Sequence, residues 1–476
     1  MKKNKLLLWF SAFFCGSAIT LGVMVLLNKT GAQQSIVSPN AYGETTAIDQ
    51  VYEALKSSHY FYEGDDQALI DGAISGMINA LEDPHSSYFT QQDYESFVEH
   101  LEETYSGIGC EVTSINGYTI IVSPFPDSPA DVAGIMPNDV VIEVDGENVV
   151  GMPVYEVTSK IKGEKGSTVK LGIQRNEGDE LIEIQVKRDE INQETVLYEM
   201  MPVDEQNVGY VQVTTFGEAT ADDFEAAIEA LEREGMTSLV VDLRNNSGGY
   251  LQSVVQMVDY LLPADNVITT IANREEEGQR YVTSGEGKDY NIVTLINEGS
   301  ASASEIFAAA MKEAGGYDVV GKTSYGKGTV QVTLPIDNHS SLKLTTQVWR
   351  TPEDNWINEE GVTPTIEVSE PDFYSFYQVY LKDGKTFEAD MVDAGIANAQ
   401  NILATLGYEV TRQDGYFDEA TTKAIEKFQT DNELDVTGDI DAPTATALTM
   451  AIRDRVKDKA YDTQLKQALE TAINSK

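Results

Sequence analysis

Cysteine is almost missing from this sequence: Cys15 and Cys110 are the only two in 476 residues. Cys15 falls inside an apolar N-terminal run, so it is not expected to pair with Cys110. Two cysteines build neither a disulfide framework nor a four-cysteine zinc site. Histidine is scarce too. His59, His85, His100 and His339 are the four, and none sits in a glycine-rich or catalytic-looking context. Gly-x-Ser-x-Gly is absent, which leaves a Ser–His–Asp hydrolase without its signature. His-Glu-x-x-His and Cys-x-x-Cys are also absent, so metal-assisted hydrolysis has less support still. No metal and no organic cofactor is implied.

Positive charge is short as well. Against 33 basic residues stand 78 acidic ones, a formal net charge of −45. That argues against nucleic-acid binding and against docking on anionic lipid through a basic patch. A solvated acidic surface is the plain reading. The apolar fraction, 41%, is ordinary for a globular protein, and the length allows several domains.

What is present begins with Met1-Lys2-Lys3-Asn4-Lys5, followed by Leu6 to Leu27, twenty-two residues without a charge. The run is long enough to span a bilayer, and the lysines would stay on the cytoplasmic side. Residues 1–28 are therefore expected to be a cytoplasmic stub and single-pass anchor, with the rest outside the cytoplasm. The runner-up is a signal segment cleaved after Thr30-Gly31-Ala32 and a secreted product. Ala12-Phe13-Phe14 before Cys15 is too bulky for lipoprotein processing.

Residues 44–100 read as helical, with Ile48, Val51, Tyr52 and Leu55 as one apolar stripe. Leu69, Ile70, Ala73, Ile74, Met77, Ile78 and Leu81 form another. The turn Asp83-Pro84-His85-Ser86 comes next, and the expectation is a hairpin packed on its neighbour. Residues 101–188 change to short strands. From 190 to 371, strands alternate with helices. Ser238–Arg244 reads as a buried strand ending in Asn245-Asn246-Ser247-Gly248-Gly249 before a helix. That turn could hold an anion, but it carries neither Gly-Lys-Ser/Thr nor Gly-x-Gly-x-x-Gly. Glu313, eleven residues past Ser302, is about 16 Å along a continuous helix and receives no relay role. Residues 372–390 read as an aromatic packing segment between domains. The tail beyond about Ala451 reads as helical or frayed.

The stretch with most chemistry is Asn297-Glu298-Gly299-Ser300-Ala301-Ser302-Ala303-Ser304-Glu305-Ile306, between the apolar strand Ile292–Ile296 and a helix. A serine on such a turn is exposed to a substrate backbone, and the helix N-terminus offers free N–H groups. Thr323-Ser324-Tyr325-Gly326-Lys327-Gly328-Thr329-Val330-Gln331 comes after it. A lysine buried there would lose its proton readily and serve as a general base. Gln331, four residues on, faces the same side of an extended chain and can orient an amine without charging it. Ser324-Tyr325-Gly326-Lys327 also reads Ser-x-x-Lys, as in penicillin-binding proteins. That chemistry needs the motif to open a helix and a Ser-Asp-Asn elsewhere; here glycines flank Lys327, a strand comes next, and Ser-Asp-Asn is absent.

These two motifs, in this order and spacing, resemble the carboxyl-terminal processing peptidases, the tail-specific Ser–Lys protease family S41. The resemblance implies Ser302 as nucleophile, Lys327 as base, Gln331 as its orienting partner, and the backbone N–H groups of Gly248 and Ala303 as oxyanion donors. Tyr105-Ser106-Gly107-Ile108-Gly109-Cys110, with Ser128–Ile135 and Asn138–Gly146, resembles a PDZ domain. There Gly107, Ile108 and Gly109 would bind a peptide carboxylate, with Val154–Ile161 as the other wall of the groove. Lys162-Gly163 departs from the Arg-Gly common in the family. Residues 391–455, with Gln400 ahead of Leu406-Gly407-Tyr408, then Asp414-Gly415-Tyr416-Phe417 and Phe428-Gln429, resemble a three-helix peptidoglycan-binding module.

The expected fold is α/β multidomain: a transmembrane helix, a helical region, a PDZ-like β-rich domain, a crotonase/ClpP-like α/β protease core and a small helical C-terminal module. The expected partners are protein or peptide substrates with free C-termini, the membrane and peptidoglycan; a homodimer is left open. The alternative is a wall-bound PDZ scaffold with an inactive protease domain.

Overall fold

The computed structural model describes residues 46–474, apart from 91–93, 95–103, 116, 126, 138, 153, 176–180, 193, 276–277, 337–339, 377–378, 380 and 382–384. The apolar run Leu6–Leu27 lies outside the described residues. Among those described, no helix is long and apolar enough to cross a membrane. The chain divides into two compact units. One joins the N-terminal arm to Glu194–Val368 and the last residues from Lys466. The other joins Thr104–Gln193 to Ser369–Leu465.

The N-terminal arm has two helices, Thr46–Ser58 and Asp66–Asn79. Asp65 caps the second by accepting the Ala68 N–H at 2.9 Å. The expected packing of the stripes is not met: Ile48, Val51, Leu55, Ile70, Met77 and Leu81 are exposed. The arm is held instead by the turn at Asp83 and by strand β1 (Ser87–Thr90).

The PDZ-like part runs β2 (Thr104–Gly107), β3 (Cys110–Ile115), β4 (Tyr118–Pro124), β5 (Val140–Val144), β6 (Glu147–Asn148), β7 (Thr168–Gln174), β8 (Ile182–Lys187) and β9 (Asp189–Asn192). Its main sheet has the order β3-β4-β5-β7-β8, with β6 on β5, while β2 and β9 pair apart. Ile121, Val141, Leu171 and Ile173 fill the core with Val157 from the helix Val154–Ile161. On β7 the alternate residues Val169, Leu171 and Ile173 point inward, whereas β4 buries the whole run Thr119–Val122.

The α/β core runs β10 (Val196–Val203), β11 (Gln206–Val213), β12 (Ser238–Asp242), β13 (Val267–Asn273), β14 (Gly278–Val282), β15 (Asn291–Ile296), β16 (Asp318–Gly321), β17 (Thr329–Pro335), β18 (Ser340–Arg350) and β19 (Ile366–Glu367). One sheet has the order β10-β11-β12-β15-β16-β19, parallel from β11 onward. β12 and β15 are apolar runs, as parallel strands covered on both faces must be. The helices Thr220–Arg233, Leu251–Leu261 and Ala303–Ala309 bury Phe224, Ile228, Val254, Val258, Ile306 and Phe307 in its core. A second sheet, β1-β18-β13-β14 with β17 on β18, sets the N-terminal arm across β18 from β17, the strand after Lys327.

The C-terminal module has the helices Ala394–Thr405, Glu419–Asp431 and Ala442–Lys457 around Ile402, Leu403, Ile425, Phe428 and Leu448. Val379, Leu381 and Phe387 belong to this core, with Phe373 and Phe376 packed against it. The aromatic segment is therefore part of the module rather than a spacer between domains. Two buried glutamines each lock a glycine loop. The Gln400 side chain accepts the Gly415 N–H and donates to the Thr421 hydroxyl; the Gln429 side chain accepts the Gly438 N–H and donates to the Thr444 hydroxyl. The tail does not fray. Thr463–Asn474 is a helix with Ala468 and Ala472 buried, and the Asn291 amide at the start of β15 donates to the Ala472 carbonyl at 3.0 Å.

Candidate active site

The buried parallel strands β12 and β15 end side by side, and their C-terminal turns build the site, where open α/β sheets place their crevices. After β15, Asn297 and Ser300 tie their turn to β12's: the Asn297 carbonyl side-chain oxygen accepts the Asn245 N–H at 2.8 Å, and the Ser300 hydroxyl donates to the Leu243 carbonyl at 2.7 Å. Ser302 comes next with φ 57° and ψ −111°, a left-handed backbone that a non-glycine residue holds only under constraint. Its hydroxyl is buried and has no hydrogen-bond partner. Ala303 opens the helix, so its N–H is one of the donors the helix itself leaves unpaired.

Glu305, fully buried, is the hinge pin of the site. Oε2 accepts the Ser302 N–H at 2.7 Å and the Lys327 N–H at 2.9 Å. Oε1 accepts the Ser324 hydroxyl and the Gly326 N–H, both at 2.6 Å. One carboxylate oxygen thus keeps the Ser302 and Lys327 backbone nitrogens within about 6 Å of each other. Burial pushes the Glu305 carboxyl above its usual range, and the four donors oppose that. The Lys327 amine is also fully buried and without a partner. Burial, then the nearby Lys343 ammonium, lowers its pKa to about 8 from 10.5.

Gln331 is buried on β17, but its amide does not reach Lys327. It donates to the Thr329 hydroxyl at 2.9 Å and to the Thr345 hydroxyl at 3.1 Å. Gly248 is placed against the nucleophile: a Cβ there would lie 2.8 Å from Ser302 Cβ and 3.1 Å from the Ala303 nitrogen, and its φ is +109°. Only glycine fits. Its N–H is not free in this structure, because it donates to Asn246 Oδ1 at 2.9 Å, the bond an Asx turn makes two residues on. Glu313 accepts from the Glu353 N–H and the Asn355 amide.

In the PDZ-like part, Gly107 ends β2 and Ile108 is buried. Gly109 has φ +74°, and a Cβ there would meet Ser128 Cβ at 2.6 Å. The Ile108 carbonyl accepts the Ala130 N–H and the Gly109 carbonyl accepts the Ser128 hydroxyl, so the loop's carbonyls turn into the domain. Arg188 closes the far end of the groove helix, donating to the Ile161 and Lys160 carbonyls.

Sequence reasoning missed Glu305, although it stands within the serine motif, because its function lies in backbone contacts made across the fold. It named the Asp83–Ser86 turn but not its contact with β18, where the Ser86 hydroxyl accepts the Thr345 N–H. Gly316 to Thr323 spells Gly-x-x-x-x-Gly-Lys-Thr, a phosphate-loop pattern, yet Asp318–Gly321 is the buried strand β16 and Lys322 pairs with Glu367. A strand in place of the glycine loop leaves no cradle for a phosphate.

Several known families and proteins resemble this chain. Residues 207–368 match Peptidase family S41, 120–175 a PDZ domain, 392–448 a putative peptidoglycan binding domain, and 14–93 the activating protease CtpB N-terminal domain. Carboxy-terminal processing protease CtpB of Bacillus subtilis (strain 168) is 39% identical over 97% of this chain and 97% of its own. CtpA of the same organism is 35% identical over 96% of this chain and 95% of its own. The solved photosystem II D1 C-terminal processing protease aligns with 77% of this chain and 94% of its own, at 23% identity and a TM-score of 0.44. Relatives this similar along nearly the whole length show the family: the chain belongs to the S41 peptidases, among the carboxy-terminal processing serine proteases.

Proposed function

We propose that Ser302 is the nucleophile and Lys327 its general base in a membrane-anchored endopeptidase acting outside the cytoplasm. The observation that carries this is the Glu305 clamp, which holds the backbones of both residues while their reactive atoms stay buried and unpartnered. Neutral Lys327 takes the Ser302 proton as Oγ attacks the scissile carbonyl. The oxyanion is held by the Ala303 N–H and by the Gly248 N–H, which must first leave Asn246 Oδ1. Lys327 then returns the proton to the leaving amine, and water resolves the acyl-enzyme with Lys327 again as base. Gln331 orients Lys327 once its side-chain oxygen accepts an N–H of the amine, which leaves the amine's lone pair for the Ser302 proton.

The PDZ groove captures a substrate's C-terminal carboxylate on the Ile108 and Gly109 N–H groups, with the peptide added as a strand beside β3. The substrates are loosely folded envelope proteins with apolar C-termini. The C-terminal module would hold the enzyme at peptidoglycan. Its marks Gln400 and Gln429 build the module's own core, so wall binding needs its own test, sedimentation with purified cell wall. The exposed stripe Ile48, Val51 and Leu55 is the face through which two copies would associate. The proteolytic reading is tested with casein and the full chain beside Ser302→Ala. Cleavage by the wild type alone supports it, and equal cleavage by both removes Ser302 from the reaction.

A further inference from the structure

The C-terminal module touches the PDZ-like part at its peptide strand, within one compact unit. β3 is an edge of its sheet and pairs only with β4 among the described residues. Its free edge is the one a peptide would extend. Cys110 and Val112 pack against the domain core, so Glu111 between them points to the opposite face. There it meets two cations of the helix Ala442–Lys457. Arg453 Nη2 lies 3.3 Å from Glu111 Oε1, and Lys457 Nζ lies 3.5 Å from Oε2. Arg453 and Lys457 are one helical turn apart and share a face of that helix. Two positive charges thus stand over one carboxylate, a local surplus in a chain of net charge −45. Arg453 Nη1 is buried and has no hydrogen-bond partner among the described residues. A buried guanidinium N–H without an acceptor is costly, so the cluster is short of one anion.

We propose that Arg453 and Lys457 complete the PDZ groove as an anion subsite, which selects substrates whose penultimate residue is Asp or Glu. The proposal rests on the reading above, in which the groove takes a free C-terminus beside β3. With its carboxylate on the Ile108 and Gly109 N–H groups, the peptide runs back antiparallel along β3. Its last residue then lies beside Cys110, with the side chain toward the apolar core. The penultimate residue lies beside Glu111 and faces outward, because successive side chains of a strand alternate. Residues directly opposite on neighbouring strands have Cβ atoms about 5 Å apart on one face. A penultimate carboxylate therefore comes within reach of the cations that hold Glu111. It supplies the acceptor that Arg453 Nη1 lacks and brings the cluster to two cations and two carboxylates. Glutamine there offers an oxygen without the charge, and lysine meets two like charges. An apolar last residue stays compatible, since it faces the other side. The acidic chain as a whole repels an acidic peptide at long range, so the preference is a contact effect.

The test is fluorescence anisotropy with the full-length Ser302→Ala chain and short labelled peptides. The peptides share an apolar last residue and differ only in the penultimate one: Glu, Gln or Lys. The Glu peptide is expected to bind about fivefold tighter than the Gln peptide at low salt, with the Lys peptide weakest. Adding Arg453→Met and Lys457→Met together removes that preference and keeps the affinity for the Gln peptide, which reports an intact groove. Lys457→Glu moves the preference toward the Lys peptide. Equal affinity for the Glu and Gln peptides while both cations are present overturns the proposal, and this comparison needs no change at the subsite. A Glu preference that survives the double substitution overturns it as well. The Glu peptide with an amidated C-terminus tests the underlying reading. Loss of its binding supports capture of the carboxylate by the groove, whatever the penultimate residue does. Binding as tight as that of the free acid overturns the groove reading, and the subsite with it.

Discussion

At the scale of single residues, one carboxylate sets the distance between nucleophile and base. Glu305 receives four hydrogen bonds and donates none, so an amide in its place turns an NH2 toward two N–H donors. Glu305→Gln is expected to cost on the order of 3 kcal/mol in urea unfolding and to lower kcat at least tenfold. Undiminished activity would mean the clamp does not position the site. Gly248→Ala places a methyl against Ser302 and Ala303 in a left-handed backbone; a fall in kcat with little change in KM is expected from steady-state kinetics. Lys327 also makes stability depend on pH. Its pKa is lowered in the fold to about 8 from 10.5, so between those values the unfolded chain holds more protons and stability rises with pH. Below about pH 8 the folded chain carries the whole penalty. Lys327→Met should therefore stabilise the protein there by about 3 kcal/mol, with the gain fading toward pH 10.5 in denaturant titrations.

At the scale of elements, the strand–turn–helix around Ser302 was legible because a buried parallel strand is a plain apolar run and a small-residue turn stands out after it. The lysine strand was legible for the same reason. What the sequence concealed were the contacts between distant segments. Nothing in Ser-Glu-Ile says that Glu305 reaches the backbone of Lys327, and nothing near Gln331 says that Thr345 takes its amide. The apolar stripe Ile48, Val51 and Leu55 has correct helical spacing, yet periodicity cannot tell a core face from one left exposed. The signature glutamines of the C-terminal module were visible as motif residues, but their use in locking the Gly415 and Gly438 loops required the fold. Gln429→Leu strands two N–H groups in the module's interior, and a loss on the order of 3 kcal/mol is expected, read as earlier cleavage near Gly438 in limited proteolysis. Wild-type resistance in that variant would mean the loop is held elsewhere.

At the scale of the molecule, the N-terminal arm is part of the protease unit. β1 completes the second sheet, and the Asp83 turn reaches the wall behind Lys327. The net charge of −45 weakens the folded chain by self-repulsion, so thermal stability should rise from low to physiological salt; a flat response would mean the acidic residues are spread too thinly to repel. The central claim is that a neutral lysine activates Ser302, and it is tested most directly by the casein cleavage rate of the full chain and of Lys327→Met across the pH range. The account predicts a wild-type rate that rises to a plateau through about pH 8 and no cleavage by the variant at any pH. Cleavage by Lys327→Met at the wild-type rate would contradict it.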